Sequence, residues 1–379
     1  MTAKRAIPLW IAIFLLAGIF IGPREFSAGD TQRYVGMVEG ETVVAPFAYR
    51  VLVPAIVRVL PVSVESGFLI TTIAFSYLTL LFFHRLLRRL GVAERAALLT
   101  TAALAFSYPV AYNLGHWGLI DPATNFFIVL ALYALFSDRL WLMAAILLIG
   151  VMAKESLLLL LPLLVGAIWW RPTLSPVARV GYTLLAAGTP LLVLALLRTR
   201  IPVEPSVYDI GGLDDLRALW AFIMEYNFSG YGFIPRLGRE FLRSYGFFWT
   251  FALLGWSLIA RRSVQVVCLY LVAVSVGLCL IATDWSRMLS FGFPGIFIPA
   301  AFLIQRGLAE IHGRWLMPAL VVLFAAQGYI ALLSYEELDR LGQLGLIAGS
   351  VLLFIAGSLL AVYLRVGATR RKLALEQKG

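Results

Sequence analysis

Histidine and cysteine, which supply many transition-metal sites in proteins, are scarce in this chain. Its 379 residues include three histidines and two cysteines, and neither HExxH nor CxxC occurs. Cys268 and Cys279 lie in one apolar run, 264–282, so we expect two buried thiols rather than a disulfide. A Walker loop and a Gly-x-Ser-x-Gly motif are also absent. The sequence therefore predicts no metal centre assembled from histidine and cysteine.

Charged residues are also few. They make up 14% of the chain, against about a quarter in ordinary globular proteins, while 61% of the residues are hydrophobic. Long apolar runs recur along the whole chain, which excludes a soluble domain and is typical of a polytopic helical membrane protein. We interpret the net charge of +10 as a signal of membrane orientation, and predict no nucleic acid partner.

The apolar runs predict an all-α polytopic membrane protein with about twelve transmembrane helices, forming a single integral membrane domain over residues 1–379. The first run is interpreted as an uncleaved span, because no small-residue cleavage site follows it. The predicted spans cover 7–22, 66–84, 96–114, 123–137, 141–153, 156–170, 180–197, 242–260, 264–282, 288–305, 315–333 and 343–364.

The apolar run 141–170 is too long for one ordinary span. As a continuous helix it would measure about 45 Å against a hydrocarbon core of about 30 Å, so it is one tilted helix or two short ones broken at Ala-Lys-Glu-Ser. The break places more than half of the basic residues on one side, as the positive-inside rule favours. It predicts cytoplasmic termini, extracytoplasmic polar loops, and a recess below the outer surface lined by Lys154 and Glu155.

Two long polar segments then lie outside the membrane: a first loop, 23–65, and a second loop, 198–241. Both are expected to carry short interfacial helices. Residues 213–226 suit a helix that lies in the interface or over a pocket, and a simple connector explains them equally well.

Polar residues from five points in the sequence fall on this outer face, as expected for one composite site. The clusters are Asp30 with Arg33 and Tyr34, Tyr49 with Arg50, His116 with Asp121, Lys154 with Glu155, and Asp284 with Arg287. Any polytopic protein also shows polar residues where loops join spans, so each cluster has a structural alternative.

These alternatives stay open for the main candidates. Asp30 is either a general base for an acceptor hydroxyl or a helix N-cap, and Asp121 is first of all a cap for the helix after it. Lys154 and Glu155 either serve the site or pair for structure, and function is favoured because charges inside an apolar run are costly. Arg287 either holds a phosphate or snorkels to the surface.

With these residues in place, the chain resembles the bacterial polytopic membrane glycosyltransferases of the GT-C superfamily. The resemblance rests on the early acid Asp30, the run 46–54 (PFAYRVLVP), the break at 152–156 (MAKES) and the turn at 284–288 (DWSRM). Many members carry paired acids in the first loop, whereas Asp30 stands alone. A divalent metal is therefore compatible with the family but is not supported by this sequence.

The resemblance implies inverting transfer of a sugar from a polyprenyl-phosphate donor to a glycan, lipid or protein acceptor on the extracytoplasmic face. Asp30 would be the catalytic base, and the donor phosphate would be bound by Arg287, Lys154 and Arg50. Supporting residues would be Arg33, Tyr34, Tyr49, His116, Asp121, Glu155 and Asp284. Membrane lipids would surround the protein.

Two other functions remain as alternatives at this stage. A polysaccharide polymerase or ligase would have the same topology but would depend on external arginine and histidine. A lipid-linked sugar transporter or flippase would use the same charges as a substrate path, and usually shows internal repeats or broken helices in both halves.

Overall fold

The computed structural model describes residues 26, 29–204, 217, 220–221, 224–225, 233–282 and 284–310. Of these residues 79% are helical, and the isolated bridge that the described ranges contain joins Val44 to Glu204. The predicted all-helical class is therefore confirmed for this part of the chain.

In chain order the described helices are α1 (Gly29–Glu39), α2 (Leu52–Val59), α3 (Val64–Arg89), α4 (Glu94–Ala105), α5 (Tyr108–Gly115), α6 (Asp121–Phe136), α7 (Leu140–Gly150), α8 (Leu161–Trp169), α9 (Pro176–Arg200), α10 (Phe233–Tyr245), α11 (Phe248–Gly255), α12 (Arg262–Cys279), α13 (Trp285–Ser290) and α14 (Phe293–Glu310). Short 3₁₀ segments stand at Phe47–Tyr49, Glu155–Leu160 and Trp256–Leu258.

The chain divides into two compact units. The first unit comprises Met1–Gly91, Pro109–Ser229 and Leu280–Thr283. The second unit comprises Val92–Tyr108, Gly230–Cys279 and Asp284–Gly379. Each unit is described by itself below.

Three described helices, α3, α9 and α12, are long and apolar enough to cross a membrane. Shorter apolar helices of 10–17 residues are Asp121–Phe136, Leu140–Gly150, Glu155–Trp169, Phe248–Leu258 and Phe293–Ala309. The predicted spans 7–22, 315–333 and 343–364 lie outside the described residues. The total of about twelve spans therefore stays a prediction.

Three predicted spans differ from the structure, and one of them, 288–305, is interrupted at residues 291–292 between α13 and α14. The span 96–114 is divided between α4 and α5. Pro109, in the first turn of α5, has no amide hydrogen to donate to the preceding turn, and its ring would clash with a carbonyl of that turn if α4 continued. In the span 242–260, α10 ends before Gly246, whose φ of 55° is a left-handed conformation that glycine adopts without strain. The apolar helix α11 begins only after this turn.

The predicted break in the run 141–170 is confirmed. α7 ends at Gly150, the backbone of Lys154 is extended (φ −162°, ψ 131°), and a 3₁₀ segment leads from there into α8. The amide of Leu52 donates a hydrogen bond of 3.0 Å to the carbonyl oxygen of Met152. The unwound turn is therefore bound to the first loop, while the side of the membrane on which it lies stays a prediction.

The two predicted loops are described to different extents. The first loop, 23–65, carries α1 and α2, so the prediction of short helices there is confirmed. In the second loop, 198–241, α9 continues to Arg200 and α10 begins at Phe233. Most of the predicted helix at 213–226 lies outside the described residues.

In the first unit α3 packs along α6, and α6 packs against α7. Aromatic rings fill the contact between α3 and α6: Phe75 and Phe82 meet Phe126 with ring centroids 5.7 and 5.9 Å apart. α9 contacts α7 and α8 but leaves much of its apolar surface exposed, as a helix that faces lipid would.

The helix ends of the first unit collect in two places. At the end that we call the polar end, the first loop meets the turn before α6 and the turn 151–154. At the opposite end, the basic end, Arg89 donates to the carbonyl of Phe136 at 3.1 Å and Arg171 to that of Asp138 at 2.9 Å. The basic end carries Arg85, Arg88, Arg89, Arg139, Arg171 and Arg179.

In the second unit α4, α11 and α12 all pack against α14, and α10 packs against α13. Gly255 of α11 lies so close to α14 that a Cβ would be 2.0 Å from the carbonyl oxygen of Pro299. Gly295 of α14 is similarly close to Cys268, with a Cβ position 2.5 Å from that carbonyl oxygen. Glycine at both positions lets the helices approach closely. Cys268 and Cys279 are buried free thiols, as predicted.

Candidate active site

The first helix of the first loop, α1, separates its buried and polar residues onto different faces. Thr31, Tyr34 and Val38 are buried at helical spacing, and Tyr34 is fully enclosed. Asp30 and Arg33 form an ion pair of 3.1 Å with 22% and 40% of their side chains exposed. The first loop thus presents an accessible carboxylate on a helix whose other face is anchored.

The turn before α6 contributes to this anchoring. Gly118 packs so closely on Thr31 that a Cβ on the glycine would lie 2.1 Å from the threonine Cγ2. Trp117 stacks on Phe26 with ring centroids 6.0 Å apart, and its carbonyl oxygen accepts a hydrogen bond of 2.8 Å from Thr72 of α3. α1 is therefore fixed to the core of the first unit by uncharged contacts as well as by the ion pairs described next.

Arg50, which follows the 3₁₀ segment Phe47–Tyr49, lies at the centre of the polar end. Its guanidinium donates to both carboxylate oxygens of Glu155, at 2.9 and 2.5 Å, and to the hydroxyl of Tyr34 at 3.1 Å. Burial lowers the pKa of Arg50, but Tyr34 and Glu155 raise it by more, so that its pKa lies above the ordinary value. A charged, bidentate contact therefore joins the first loop to the residue that follows the break.

The ring of Phe47 connects this contact with α1. The guanidinium of Arg33 lies 4.3 Å from the ring centroid and that of Arg50 lies 5.0 Å from it, both within the range of cation–π attraction. Tyr34 meets the same ring edge-on at 5.8 Å. Two arginines thus share one ring while each also binds a carboxylate.

Lys154 forms a second buried ion pair at the polar end. Its ammonium lies 2.6 Å from the carboxylate of Asp121, and the two side chains are 7% and 9% exposed. Asp121 is the first residue inside α6 and Ile120 occupies the N-cap position. The favoured prediction of Asp121 as the cap residue is therefore wrong, and its carboxylate binds Lys154 instead.

The remaining candidates of the first unit surround these pairs. The ring centroid of Tyr49 lies 5.7 Å from the guanidinium of Arg198, near the end of α9. His116 stacks on Tyr112 with ring centroids 4.2 Å apart, and its Nδ1 is 3.1 Å from the Tyr112 carbonyl oxygen. The group that we call the polar network consists of Tyr34, Arg50, Asp121, Lys154 and Glu155.

The fifth predicted cluster, Asp284 with Arg287, belongs to the second unit. The carboxylate of Asp284 accepts a hydrogen bond of 3.3 Å from the amide of Arg287, which makes Asp284 the N-cap of α13. Its other oxygen lies 3.7 Å from the Arg287 guanidinium. Four of the five predicted clusters thus lie in the first unit and this one in the second.

Sequence reasoning missed a group of arginines in α10 of the second unit. They recur at helical spacing: Arg236, Arg239 and Arg243. The buried Glu240 between them accepts hydrogen bonds from Ser286 and from Arg239, the latter at 3.3 Å. Arg236 lies 4.5 Å from the ring of Trp285. The amphipathic spacing is visible in the sequence, but the prediction divides this segment between the second loop, 198–241, and the span 242–260.

Carboxylates at the polar end lie against cations rather than against one another. Asp30, Asp121 and Glu155 each contact a different basic side chain. Within the described ranges, no group of three or more histidine, cysteine, aspartate or glutamate side chains could hold a metal ion. The arrangement offers Asp30 as an accessible carboxylate beside a fixed, charged network, which suits proton transfer at a surface.

Comparison with known proteins assigns no family to the chain. No protein-family model matches it, and no curated protein is significantly similar to it.

Proposed function

We propose that the protein is a membrane glycosyltransferase that moves a sugar from a polyprenyl-phosphate donor to an acceptor hydroxyl on the extracytoplasmic face, with inversion. The observation that carries the proposal is the position of Asp30, a partly exposed carboxylate on a helix whose other face packs into the polar network. A general base needs this combination of access and fixed position.

In this reaction the carboxylate of Asp30 takes the proton of the acceptor hydroxyl while that oxygen forms a bond to the anomeric carbon. The bond from the anomeric carbon to the donor oxygen breaks, and polyprenyl phosphate leaves with the electron pair. Asp121 is less suited to this task because it is buried with Lys154. Glu155 is 27% exposed, but both of its carboxylate oxygens accept hydrogen bonds from the guanidinium of Arg50, which makes it a weaker base than its exposure alone would suggest. Arg33, at 3.1 Å, directs the carboxylate of Asp30.

Arg50 and Lys154 are positioning residues in this proposal. The resemblance assigns them to the donor phosphate, but each is buried and binds a carboxylate of the chain. A phosphate that displaced those partners would leave the buried carboxylate of Asp121 without its ammonium, which is strongly unfavourable, and would break the bidentate contact of Arg50 with Glu155. We therefore assign to both residues the task of holding the first loop against the turn 151–154.

The resemblance assigns the donor phosphate to Arg287, which belongs to the second unit, and this assignment stays a prediction. An arginine presents five N–H donors in a planar fork that matches phosphate oxygens, and the contact with Asp284 at 3.7 Å is a loose one. Arg236 and Arg239 lie on α10, which packs against the helix that carries Arg287, and add positive charge there. Arg287→Ala should weaken binding of the donor lipid and leave the fold intact, and an unchanged donor affinity in a titration would refute this role.

A lipid-linked donor agrees with the apolar character of the chain. Three described helices can cross a membrane by length and composition. Nucleotide sugars are not supplied outside the cytoplasm, whereas a polyprenyl phosphate delivers its sugar at the membrane surface. The acceptor can then approach from the aqueous side, where Asp30 is exposed.

The decisive experiment compares the unmodified protein with Asp30→Asn in proteoliposomes that contain polyprenyl-phosphate sugars and a panel of acceptors. Loss of a general base should lower the rate of transfer by about 10²–10⁴-fold, with the thermal unfolding temperature little changed. Glu39→Gln is the matched control, because Glu39 is an exposed acid on the same helix, and it should keep full activity. Full activity of Asp30→Asn would sink the proposed mechanism.

One observation favours a transporter as the second candidate. The unwound turn 151–154 with the buried pair of Lys154 and Asp121 resembles the broken helices that transporters use at their substrate sites. A protein that moves lipid-linked sugar across liposomes without forming a glycosidic bond would establish that reading. Glycosidic product in the same vesicles would exclude it as the main activity.

A further inference from the structure

A cavity of about 350 Å³ lies at the basic end of the first unit, far along the helices from the polar network. It is formed where α6 ends, α7 begins, α8 ends and α9 begins. The side chains that bear on its chemistry are Asp138, Arg139, Trp141, Arg171 and Tyr182. None of them has a role in the proposed transfer reaction.

Two arginines and one aspartate give the cavity a net positive charge. Asp138 has a φ of 60°, a left-handed conformation that is uncommon for residues other than glycine. Arg171 donates to both the carbonyl and the carboxylate of Asp138, so it supports that turn. Arg139 is exposed and makes no ion pair with any residue that the structure describes. Its five N–H donors are therefore accessible to an anion.

The other walls of the cavity are aromatic and apolar. Trp141, which is 53% exposed, meets Tyr182 edge-on with ring centroids 5.2 Å apart. Tryptophan and tyrosine are enriched at the level of lipid headgroups. From Tyr182 the exposed apolar surface of α9 continues through Leu184 and Leu185. A ligand with a phosphate at one end and hydrocarbon at the other would satisfy each of these surfaces.

We propose that this cavity binds the headgroup of an anionic phospholipid. Arg139 and Arg171 contact the phosphate, Trp141 and Tyr182 flank the glycerol, and an acyl chain follows the exposed face of α9. Basic pockets at the ends of membrane helices are suited to anionic headgroups. A free phosphate ion would leave most of the volume empty, whereas ordinary ligand cavities of about 300–1,000 Å³ take whole small molecules. The proposal depends on the helices lying in a membrane and not on the transferase reaction.

Lipid competition on the full-length protein tests this site. The protein is delipidated in neutral detergent and titrated with phosphatidylglycerol or phosphatidylcholine of identical acyl chains, and bound lipid is measured by native mass spectrometry. We expect about tenfold preference for phosphatidylglycerol, which corresponds to about 1.4 kcal/mol. Arg139→Gln should reduce the preference to near unity, and Arg139→Lys should keep most of it.

Arg88→Gln is the matched control, since Arg88 is an exposed arginine of the basic end that does not line the cavity. It should keep the tenfold preference, with both variants unfolding at the temperature of the unmodified protein in detergent. An unchanged preference in Arg139→Gln, or an equal loss in both variants, overturns the proposal.

A further arm separates a lipid from a soluble phosphate. Inorganic phosphate and glycerol phosphate, tested at millimolar concentration, should not displace phosphatidylglycerol. If either competes with an affinity equal to that of the lipid, the cavity is a site for a soluble phosphate and the assignment to a phospholipid is wrong.

Discussion

Replacement of Lys154 by methionine is expected to lower the free energy of unfolding by about 3–4 kcal/mol. The ammonium lies 2.6 Å from the carboxylate of Asp121, and both side chains are almost fully enclosed. Methionine resembles lysine in its unbranched apolar stem, so the change removes the charge with little loss of packing. What remains is a buried carboxylate without its ammonium partner.

Proton uptake sets an upper bound on this loss. Neutralising an aspartate of ordinary pKa, about 3.9, at pH 7 requires about 4 kcal/mol, and beyond that penalty a buried carboxylate binds a proton instead. The folded variant would then hold a proton that the unfolded chain lacks. Its free energy of unfolding, relative to the unmodified protein, should therefore rise as the pH falls from 7 to 5, by up to about 1.4 kcal/mol per unit.

A double-mutant cycle separates the ion pair from the packing of the two side chains. Asp121→Asn alone should also destabilise, because it leaves the Lys154 ammonium buried. The double variant should be more stable than the sum of the single losses predicts, by about 2–3 kcal/mol. Equilibrium unfolding of the detergent-solubilised protein gives the four free energies. Strictly additive losses would refute the reasoning, since they would show that the two groups act independently.

The exposed pair of α1 is the control for this cycle. Asp30 and Arg33 are 3.1 Å apart, but 22% and 40% of their side chains are exposed, so water screens their attraction. The cycle of Asp30→Asn with Arg33→Met should give a coupling energy below about 1 kcal/mol. A coupling energy as large as that of the buried pair would mean that burial does not determine the strength of these ion pairs.

Two further predictions concern packing and orientation. Gly118→Ala should lower the free energy of unfolding by about 1–3 kcal/mol, because the new Cβ would clash with Thr31. Gly181→Ala is the control and should leave the free energy of unfolding unchanged, since a Cβ at this position of α9 meets open space. Equal shifts in unfolding temperature for the two variants would contradict the close contact of Gly118 with Thr31. A cysteine at position 176 should react with a membrane-impermeant maleimide only after the membrane is permeabilised, and a cysteine at position 62 should react without permeabilisation. The two native thiols are buried and should give little background labelling. Labelling of position 176 from outside would reverse the predicted orientation.

Part of the polar network could be predicted from the sequence, because charges within apolar runs are rare and costly. Lys154 and Glu155 interrupt such a run, and together with the distribution of basic residues along the chain they predict the break and polar side chains beside it. Their partners could not be predicted. Adjacent residues do not face each other, and the true partners, Asp121 and Arg50, are 33 and 105 positions away in the chain.

Helix boundaries were less predictable, because hydropathy averages over the residues whose backbones end a helix. Pro109 and Gly246 lie within predicted spans, and the apolar neighbours of each conceal the break in the pattern. The arginines of α10 were missed for the opposite reason. The second loop is predicted to include Arg236, Arg239 and Glu240 as solvated residues, whereas Glu240 is buried in the second unit.

Stability alone does not explain why the polar network is charged. Buried ion pairs can often be replaced by apolar residues of similar volume with no loss of stability, so a purely structural contact could be apolar. A bidentate contact such as that of Arg50 with Glu155 adds direction, because its two hydrogen bonds tolerate little rotation. The unwound turn 151–154 also needs polar neighbours for its backbone, and the amide of Leu52 supplies one. The network therefore fixes the register of the first loop against the core, which is what the proposed base, Asp30, requires.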